Sequence, residues 1–262
     1  MKIGALFSDY DGTLSPMHVP REKAFIPPKM MRILTFVSQK IPVAIITTKD
    51  LKFIKKRVPF ARAISAIGGL EIQLSEGIIV VDDRIKERTR VIEKAYEAAL
   101  SKMMPVSMRS ETEVFFERKT TSGGLLAAFC IDWRMAHNKS SAVSKIETIT
   151  KQCSEAGLYV VESKYDPFVD IYAVEINKGE SFAKLKKELK IGDDELVMYL
   201  GDSEMDNSAF EAADISIAVK HEESSPHLQS NYFLQFKDLP KFISDLMAAG
   251  FDFEPNMVVD NL

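Results

Sequence analysis

The sequence predicts an α/β protein in which a doubly wound, Rossmann-like parallel sheet is interrupted by an inserted α+β domain. Short apolar runs alternate with helical patterns at both ends of the 262-residue chain, an order typical of parallel sheets covered on both faces. Between residues 83 and 176 this order gives way to amphipathic helices and antiparallel strand pairs. Several outer apolar runs also end in polar residues, as expected where a ligand binds at the carboxyl ends of strands.

The composition is that of a soluble globular protein, with 46% hydrophobic and 27% charged residues. A net charge of −4 provides no basic field that would attract nucleic acid. The two cysteines, Cys130 and Cys153, lack metal-ligand spacing and are expected to be reduced. No apolar run approaches a membrane span or a secretory signal. We therefore expect a cytoplasmic protein without nucleic-acid or membrane partners, and its oligomeric state stays open.

The first third of the chain has the order strand, helix, strand, helix, strand. The first apolar run has the length of a buried strand, and apolar residues at helix-face spacing predict the helices between the later runs. The predicted strands are Ile3–Phe7, Pro42–Thr47, Ala63–Ile67, Glu71–Leu74 and Ile78–Val81, with a hairpin turn at Ser75–Gly77, and the predicted helices are Arg21–Lys40 and one that begins near Asp50.

The middle of the chain differs from the two ends. Its predicted elements are helix Arg84–Met103, strands Glu113–Lys119 and Leu125–Trp133, helix Asn138–Ala156, and strands Leu158–Glu162 and Val169–Ile176. The parallel order then returns with helix Ser181–Lys190, strand Glu195–Leu200, helix Ser208–Ala213, strands Ile215–Val219 and Tyr232–Phe236, and a helix from Leu239. These patterns predict a core domain at residues 1–82 and 177–262 and an inserted cap domain at residues 83–176.

The first strand ends in Asp9-Tyr10-Asp11-Gly12-Thr13. Because side chains alternate along a strand, Asp9 and Asp11 would project from the same side of its carboxyl end. Two carboxylates this close repel each other unless a cation separates them, and an oxygen-rich site suits Mg2+. The alternative interpretation is an ordinary Asp-Gly turn after a strand.

Further polar residues lie at the ends of predicted strands and at the starts of predicted helices. Thr47 ends the second strand, Lys178 stands in Asn-Lys-Gly ahead of a helix, and Gly-Asp-x-x-x-Asp-Asn contains Asp202 and Asp206. Together with Asp-x-Asp-Gly-Thr, this order resembles the haloacid dehalogenase-like (HAD) phosphohydrolases over the whole chain. Taken singly, Lys178 would be a surface lysine, Thr47 a β-branched strand residue and Asp206 a residue favoured at a helix start.

The resemblance implies phosphoryl transfer. Asp9 would attack phosphorus to give an aspartyl-phosphate, and Asp11 would protonate the leaving oxygen and then activate water. Thr47 and Lys178 would hold phosphate oxygens, the first by its hydroxyl group and the second by its charge.

The resemblance also implies Mg2+ as the cofactor. Its ligands would be the carboxylates of Asp9 and Asp202 and the carbonyl of Asp11. Asp206 would be a further ligand or would orient the lysine. Residues expected to contact the phosphate through the backbone or a hydroxyl group are Gly12, Thr13 and Thr48. Lys49 stands where the family commonly has Arg.

The position of the insert indicates which branch of the family the sequence resembles. The segment between Asp11 and Thr47 has room for only one helix and one strand, whereas the segment between Thr47 and Lys178 is far longer than the sheet requires. An insert before the lysine is similar to the C2-capped branch, which is rich in sugar-phosphate phosphatases.

Within the insert, Glu117-Arg118-Lys119 and Asp132-Trp133-Arg134 are similar to the Glu-x-Lys…His-Tyr-Arg hairpin of trehalose-6-phosphate phosphatases. Gly69-Leu70-Glu71-Ile72 is similar to their Gly-Ala-Glu-Ile, whereas Tyr172 departs from their Arg. The residues expected to bind the sugar are Glu117, Lys119, Arg134 and Asp170. The alternative for Glu117 and Lys119 is a solvated, ion-paired strand edge.

We therefore expect a Mg2+-dependent phosphomonoesterase that acts on a phosphorylated sugar similar to trehalose 6-phosphate. Sucrose phosphate or mannosyl-3-phosphoglycerate as the substrate, or a phosphomutase reaction, stays open within the same branch. A catalytically idle binding protein is the alternative from another class. Asp11 argues against it, because an idle protein needs no proton-transfer group beside a nucleophile.

Overall fold

The computed structural model describes residues 1–17, 19, 21–74, 77–103, 114–136, 138–162, 167–221 and 227–258. The chain divides into two compact units, of which the first comprises residues 1–80 and 177–262 and the second residues 81–176. Ser75 and Glu76 of the predicted hairpin turn, and Glu113 at a predicted strand start, lie outside the described residues.

The strands and helices of the described residues are as follows. The strands are β1 (Ile3–Ser8), β2 (Val43–Ile46), β3 (Ala63–Ala66), β4 (Glu71–Leu74), β5 (Ile79–Val81), β6 (Phe115–Thr120), β7 (Leu126–Asp132), β8 (Tyr159–Glu162), β9 (Phe168–Tyr172), β10 (Leu196–Gly201), β11 (Ile215–Lys220) and β12 (Tyr232–Gln235). The α-helices are α1 (Pro28–Val37), α2 (Leu51–Ile54), α3 (Arg84–Met103), α4 (Lys139–Glu155), α5 (Lys178–Glu188), α6 (Asn207–Ala212) and α7 (Leu239–Ala248).

A sheet with strand order β12-β11-β10-β1-β2-β3-β4-β5 organises the first unit. β1 pairs in parallel with both β10 and β2, and the antiparallel pairing begins only between β3 and β4. The strand order therefore runs outward in both directions from β1, which confirms the predicted doubly wound sheet. In such a sheet, ligands bind beyond the carboxyl ends of the strands where the order reverses.

Helices α5 and α6 bury one face of this sheet. Phe7 of β1 lies against Phe182 of α5 with ring centroids 5.0 Å apart, and Tyr199 of β10 lies 5.6 Å from Phe210 of α6. Leu6, which points to the opposite face, is equally buried, and α1 and α7 pack against each other through apolar side chains. A sheet buried on both faces explains why its strands are continuous apolar runs.

The second unit contains an antiparallel sheet with the order β6-β7-β9-β8. Its apolar face packs with α3 and α4, and the Tyr96 ring of α3 lies 5.5 Å from the Phe129 ring of β7. Ile131 and Ile171 are buried on this face. Because side chains alternate, the residues between them face the other side of the sheet.

Two helices begin several residues away from their predicted starts. The helix expected over residues 21–40 begins at Pro28 because proline is tolerated in the first turn but not in a helix interior. Helix α5 begins at Lys178, three residues earlier than expected, because the Asn177 side chain accepts hydrogen bonds from the backbone N–H groups of Gly179 and Glu180. Lys178 is therefore the first residue of a capped helix.

No helix among the described residues combines the length and the apolar character that crossing a bilayer needs.

Gly179 allows α5 to approach α6 closely, since a Cβ atom there would collide with the carbonyl oxygen of Ser208. We expect Gly179→Ala to lower the free energy of unfolding by about 1–3 kcal/mol, the usual cost of overpacking. Denaturant titration would measure the change. Gly123→Ala is the matched control, because the nearest atom to a Cβ there is Thr121 Oγ1 at 3.9 Å. Equal destabilisation of the two variants would contradict this explanation.

Candidate active site

Four charged side chains that the sequence singles out gather at the carboxyl end of the first unit's sheet. Asp9 follows β1 and Asp202 follows β10, and these two strands are parallel neighbours. Lys178 is the first residue of α5, and Asp206 ends the short 3-10 turn after Asp202. All four are buried, so their charges interact where water screens them weakly.

Lys178 makes the central contacts of this cluster. Its Nζ lies 2.7 Å from Oδ1 of Asp9 and 2.6 Å from Oδ1 of Asp206, and its side chain is only 3% exposed. The Asn177 cap fixes the start of α5. Gly179 lets this helix end lie close to α6, because it has no Cβ atom to collide with the Ser208 carbonyl oxygen. Burial opposes the charge on Lys178, but the Asp206 and Asp9 carboxylates outweigh it and raise the pKa of the ammonium group.

Both oxygens of Asp206 are engaged by hydrogen-bond donors. Oδ1 accepts from Lys178 and from the Tyr199 hydroxyl, the latter at 2.6 Å. Oδ2 accepts from the backbone N–H groups of Asp202 and Ser203 at 3.1 and 3.0 Å, and from the Ser203 hydroxyl at 3.0 Å. Burial alone would raise the pKa of Asp206, but Lys178 and these hydrogen bonds lower it overall. Asp206 is thus a stable anion that holds its neighbours in place.

The other two carboxylates of the cluster are less well compensated. Burial raises the pKa of Asp9 to about 7, with Lys178 opposing the rise and Asp206 adding to it. Burial, together with the charges of Asp9 and Asp206, raises the pKa of Asp202 well above its usual range. Carboxylate oxygens of Asp9, Asp202 and Asp206 all lie within 4.8 Å of one another. The buried carboxylates of Asp9 and Asp202, whose pKa values are raised, fit a small divalent cation, which would supply the missing positive charge.

The turn after β1 packs directly against Asp202. The Thr13 hydroxyl donates a hydrogen bond to Oδ1 of Asp202 at 2.9 Å. Gly12 adopts a φ of +78°, in the left-handed region, and a Cβ atom there would collide with the Asp202 carboxylate. Glycine is therefore required by both the backbone conformation and the space at this position.

His221 also contacts this turn, although the sequence did not single it out. It follows β11, its Nε2 donates a hydrogen bond to the Gly12 carbonyl at 2.5 Å, and its ring stacks on Phe236 with centroids 4.8 Å apart. The sequence offered one signal that could have identified His221, namely its position just after a predicted parallel strand, where the carboxyl ends of the strands lie together.

Asp11 and the residues after β2 lie on the more accessible side of the first strand's loop. The Asp11 side chain is 40% exposed, and its Oδ2 lies 3.6 Å from Nζ of Lys49. Thr47 is buried, and its hydroxyl accepts a hydrogen bond from the Lys49 backbone N–H at 3.2 Å. Thr48 is half-buried. Since β2 pairs with β1, these residues flank the Asp9 loop.

In the second unit, Glu117, Lys119 and Asp170 share the face of the sheet opposite α3 and α4. Cys130 of β7 pairs with Glu117 on one side and Asp170 on the other. The Nζ of Lys119 lies 2.5 Å from Oδ1 of Asp170, and these side chains are 2% and 6% exposed. Lys119 is therefore not the solvated edge residue considered as an alternative.

Arg134, the fourth residue expected to bind the sugar, follows the end of β7. Its Nε lies 2.8 Å from Oδ2 of Asp132, and its side chain is 37% exposed. Arg134 therefore has an accessible guanidinium group that is held against the end of its own strand.

The sequence matches the Trehalose-phosphatase family over residues 7–237. A trehalose-6-phosphate phosphatase-related protein of Thermoplasma acidophilum is 21% identical over 244 residues, which are 92% of this chain and 97% of that protein.

Solved structures share the fold. The crystal structure of a trehalose-6-phosphate phosphatase related protein has a TM-score of 0.71 at 20% identity and covers 94% of this chain and 98% of its own. The C-terminal domain of the C. albicans trehalose-6-phosphate phosphatase has a TM-score of 0.72 at 18% identity, with coverages of 95% and 93%. A haloacid dehalogenase-like hydrolase from Bacteroides thetaiotaomicron has a TM-score of 0.66 at 13% identity, with coverages of 94% and 100%.

Tyr199→Phe removes one hydrogen bond to the buried Asp206 carboxylate. We expect it to lower the free energy of unfolding by about 1.5–3 kcal/mol, as is usual for bonds to charged groups. Tyr10→Phe is the matched control: it removes a hydroxyl that donates to the neutral carbonyl of Ala24 and should cost about 0.5–1.5 kcal/mol. Denaturant titrations measure both values, and an equal or smaller loss in Tyr199→Phe would contradict a charged acceptor.

Proposed function

Because the chain belongs to the trehalose-phosphatase family, whose members are phosphatases of the HAD superfamily, we propose that it hydrolyses a sugar phosphate by Mg2+-dependent phosphoryl transfer to Asp9. The observation that carries the proposal is the Lys178 ammonium shared between the buried carboxylates of Asp9 and Asp206. This arrangement combines an oriented nucleophile with positive charge for a phosphate group, and both are needed for phosphoryl transfer.

The residues that would hold Mg2+ are the carboxylates of Asp9 and Asp202 and the carbonyl of Asp11. When bound, the ion would neutralise the crowded carboxylates and polarise a phosphate oxygen. We assign Asp206 the orienting role that the sequence left open, because its two oxygens already accept five hydrogen bonds from Lys178, Tyr199 and the turn after β10.

The proposed reaction has two steps. A carboxylate oxygen of Asp9 forms a bond to phosphorus, and the bond from phosphorus to the leaving oxygen breaks with its electron pair on that oxygen, which takes a proton from the Asp11 carboxyl group. Water then forms a bond to the phosphorus of the aspartyl-phosphate and loses a proton to the Asp11 carboxylate. The bond between phosphorus and the Asp9 oxygen breaks with its electron pair on that oxygen, which releases phosphate and restores the Asp9 carboxylate. The phosphate would be held by Lys178, by the Thr47 and Thr48 hydroxyls, and by the backbone at Gly12 and Thr13.

We assign recognition of the sugar to the second unit, through Glu117, Lys119, Arg134 and Asp170. Glu117 and Lys119 lie two residues apart on β6 and therefore share one face. The buried ion pair with Asp170 fixes the direction of Lys119. Fixed charged groups of this kind discriminate between hydroxyl patterns, because a missing partner leaves them unpaired. A trehalose-6-phosphate-like substrate is supported by the family and by the relative in Thermoplasma acidophilum.

Turnover of p-nitrophenyl phosphate should require Mg2+, because without the ion the oxygens of Asp9 and Asp202 face the phosphate dianion unshielded. We expect activity to fall to background in excess EDTA and to return when Mg2+ is restored. Asp9→Asn should remain inactive at every Mg2+ concentration while its circular dichroism spectrum stays that of the wild type. Full turnover in EDTA, or an active Asp9→Asn protein, would show that the mechanism is wrong.

Specificity should depend on Glu117. We expect Glu117→Gln to lower kcat/KM for trehalose 6-phosphate by about tenfold, the loss of one charged partner for a sugar hydroxyl. Turnover of p-nitrophenyl phosphate, which has no hydroxyls, should fall much less. Glu162→Gln, an exposed position on β8 of the same sheet, is the matched control and should affect neither substrate. Equal losses on both substrates would instead assign Glu117 to the support of the fold.

A further inference from the structure

Lys49 connects the loop after β2 to the carboxylate of Asp11. Its Nζ lies 3.6 Å from Oδ2 of Asp11, and the two side chains are 19% and 40% exposed. The same Nζ lies 5.8 Å from the centroid of the Phe53 ring in α2. The lysine therefore lies with its stem partly covered and its charged end toward Asp11.

The backbone that carries Lys49 is fixed on both sides. Its N–H donates to the Thr47 hydroxyl at 3.2 Å, and its carbonyl accepts from the Ile67 N–H at 2.9 Å. The next residue, Asp50, caps α2 by accepting from the Phe53 N–H at 2.8 Å. A side chain that leaves such a segment starts from a defined position and direction, which is what holding another group in place requires.

The ion pair between Lys49 and Asp11 contributes little to the stability of the fold, so a role in the reaction is easier to separate from a role in folding. A partly exposed ion pair is worth roughly 0–1 kcal/mol. A half-exposed carboxylate, however, has several rotamers available, and proton transfer requires it within hydrogen-bond reach of the reacting oxygen. Restricting the rotamers of Asp11 would therefore affect the reaction much more than the fold.

We propose that Lys49 is a positioning residue that holds the Asp11 carboxyl group where it can deliver a proton to the leaving oxygen. The inference rests on the proposed function, in which Asp11 gives that proton as the bond between phosphorus and oxygen breaks. Lys49 acts through Asp11 and transfers no proton itself. Its loss should therefore slow the departure of leaving groups that need a proton and largely spare those that leave as stable anions.

Phenyl phosphate and p-nitrophenyl phosphate form a matched pair of probes. Both have one aromatic ring, one phosphate and no sugar hydroxyls, so recognition by the second unit is not involved. p-Nitrophenolate leaves as a stabilised anion, whereas phenolate is much more basic and benefits from a proton. The value of kcat/KM reports the steps up to leaving-group departure. The intrinsic difference between the two leaving groups is the same for every variant, so a change in the ratio of the two values reports on proton delivery.

The experiment compares the wild type with Lys49→Met, Lys49→Arg and Asp11→Asn at saturating Mg2+. Lys49→Met should lower kcat/KM for phenyl phosphate about tenfold more than for p-nitrophenyl phosphate. This loss is smaller than the 10²–10⁴-fold typical of losing a general acid–base group, because Asp11 itself is still present. Lys49→Arg should restore the ratio, because it restores the charge. Lys52→Met, which removes an exposed charge from α2, is the control and should leave the ratio unchanged.

A double-mutant cycle tests whether Lys49 acts through Asp11. In the Asp11→Asn background, Lys49→Met should change the ratio no further, because the group it positions is already gone. Equal losses on the two esters, no loss on either, or an additive effect with Asp11→Asn would each overturn the inference. A wild-type protein without Mg2+-dependent activity on either ester would instead overturn the proposed function, and the role of Lys49 with it.

Discussion

Three carboxylates are buried together at the carboxyl end of one sheet, and compensating their charge is the constraint on which the site depends. An ionised carboxylate removed from water is costly unless it is paired and hydrogen-bonded. Lys178 meets this requirement for two of them at once, at 2.7 Å from Asp9 and 2.6 Å from Asp206. Asp202 obtains one hydrogen bond from Thr13, and its pKa is raised well above its usual range. The remaining deficit of positive charge is what makes the cluster suited to a cation.

The fold was predictable where the sequence signal is long and regular. The alternation of apolar strands and amphipathic helices predicted the doubly wound sheet, which is confirmed by the parallel pairing of β1 with its two neighbours. Helix α3 has its predicted bounds, Arg84–Met103, because its apolar period persists over twenty residues. The helix expected over residues 21–40 was predicted too long, because the prediction followed the apolar spacing and did not treat Pro28 as a helix start. The start of α5 was missed although Asn177 is a strong capping residue, because Gly179 disfavours a helix interior.

For the site, the sequence could predict which residues lie close together but not the contacts that distinguish their individual roles. Residues that follow neighbouring parallel strands must converge, so strand order alone brings Asp9 and Asp202 together. The orienting role that we propose for Asp206 is based on hydrogen bonds to both of its oxygens, which no sequence spacing reveals. His221 and Lys49 contact the β1 loop from the segments that follow β11 and β2. Such contacts between distant segments depend on distances that only the assembled fold defines.

The two aspartates after β1 illustrate the difference between what the sequence pattern predicts and what the structure shows. Strand alternation places Asp9 and Asp11 at the same end of β1 and treats them as equivalent. In the structure the Asp9 side chain is 7% exposed and bound by Lys178, whereas the Asp11 side chain is 40% exposed and lies 3.6 Å from Nζ of Lys49. A nucleophile gains from a fixed, desolvated oxygen, because attack on phosphorus requires a narrow range of geometries. A group that gives a proton to the leaving oxygen and then takes one from water must reach both. The different surroundings of two carboxylates so close in sequence therefore favour Asp9 as the nucleophile and Asp11 as the proton-transfer group, and they argue against the reverse assignment.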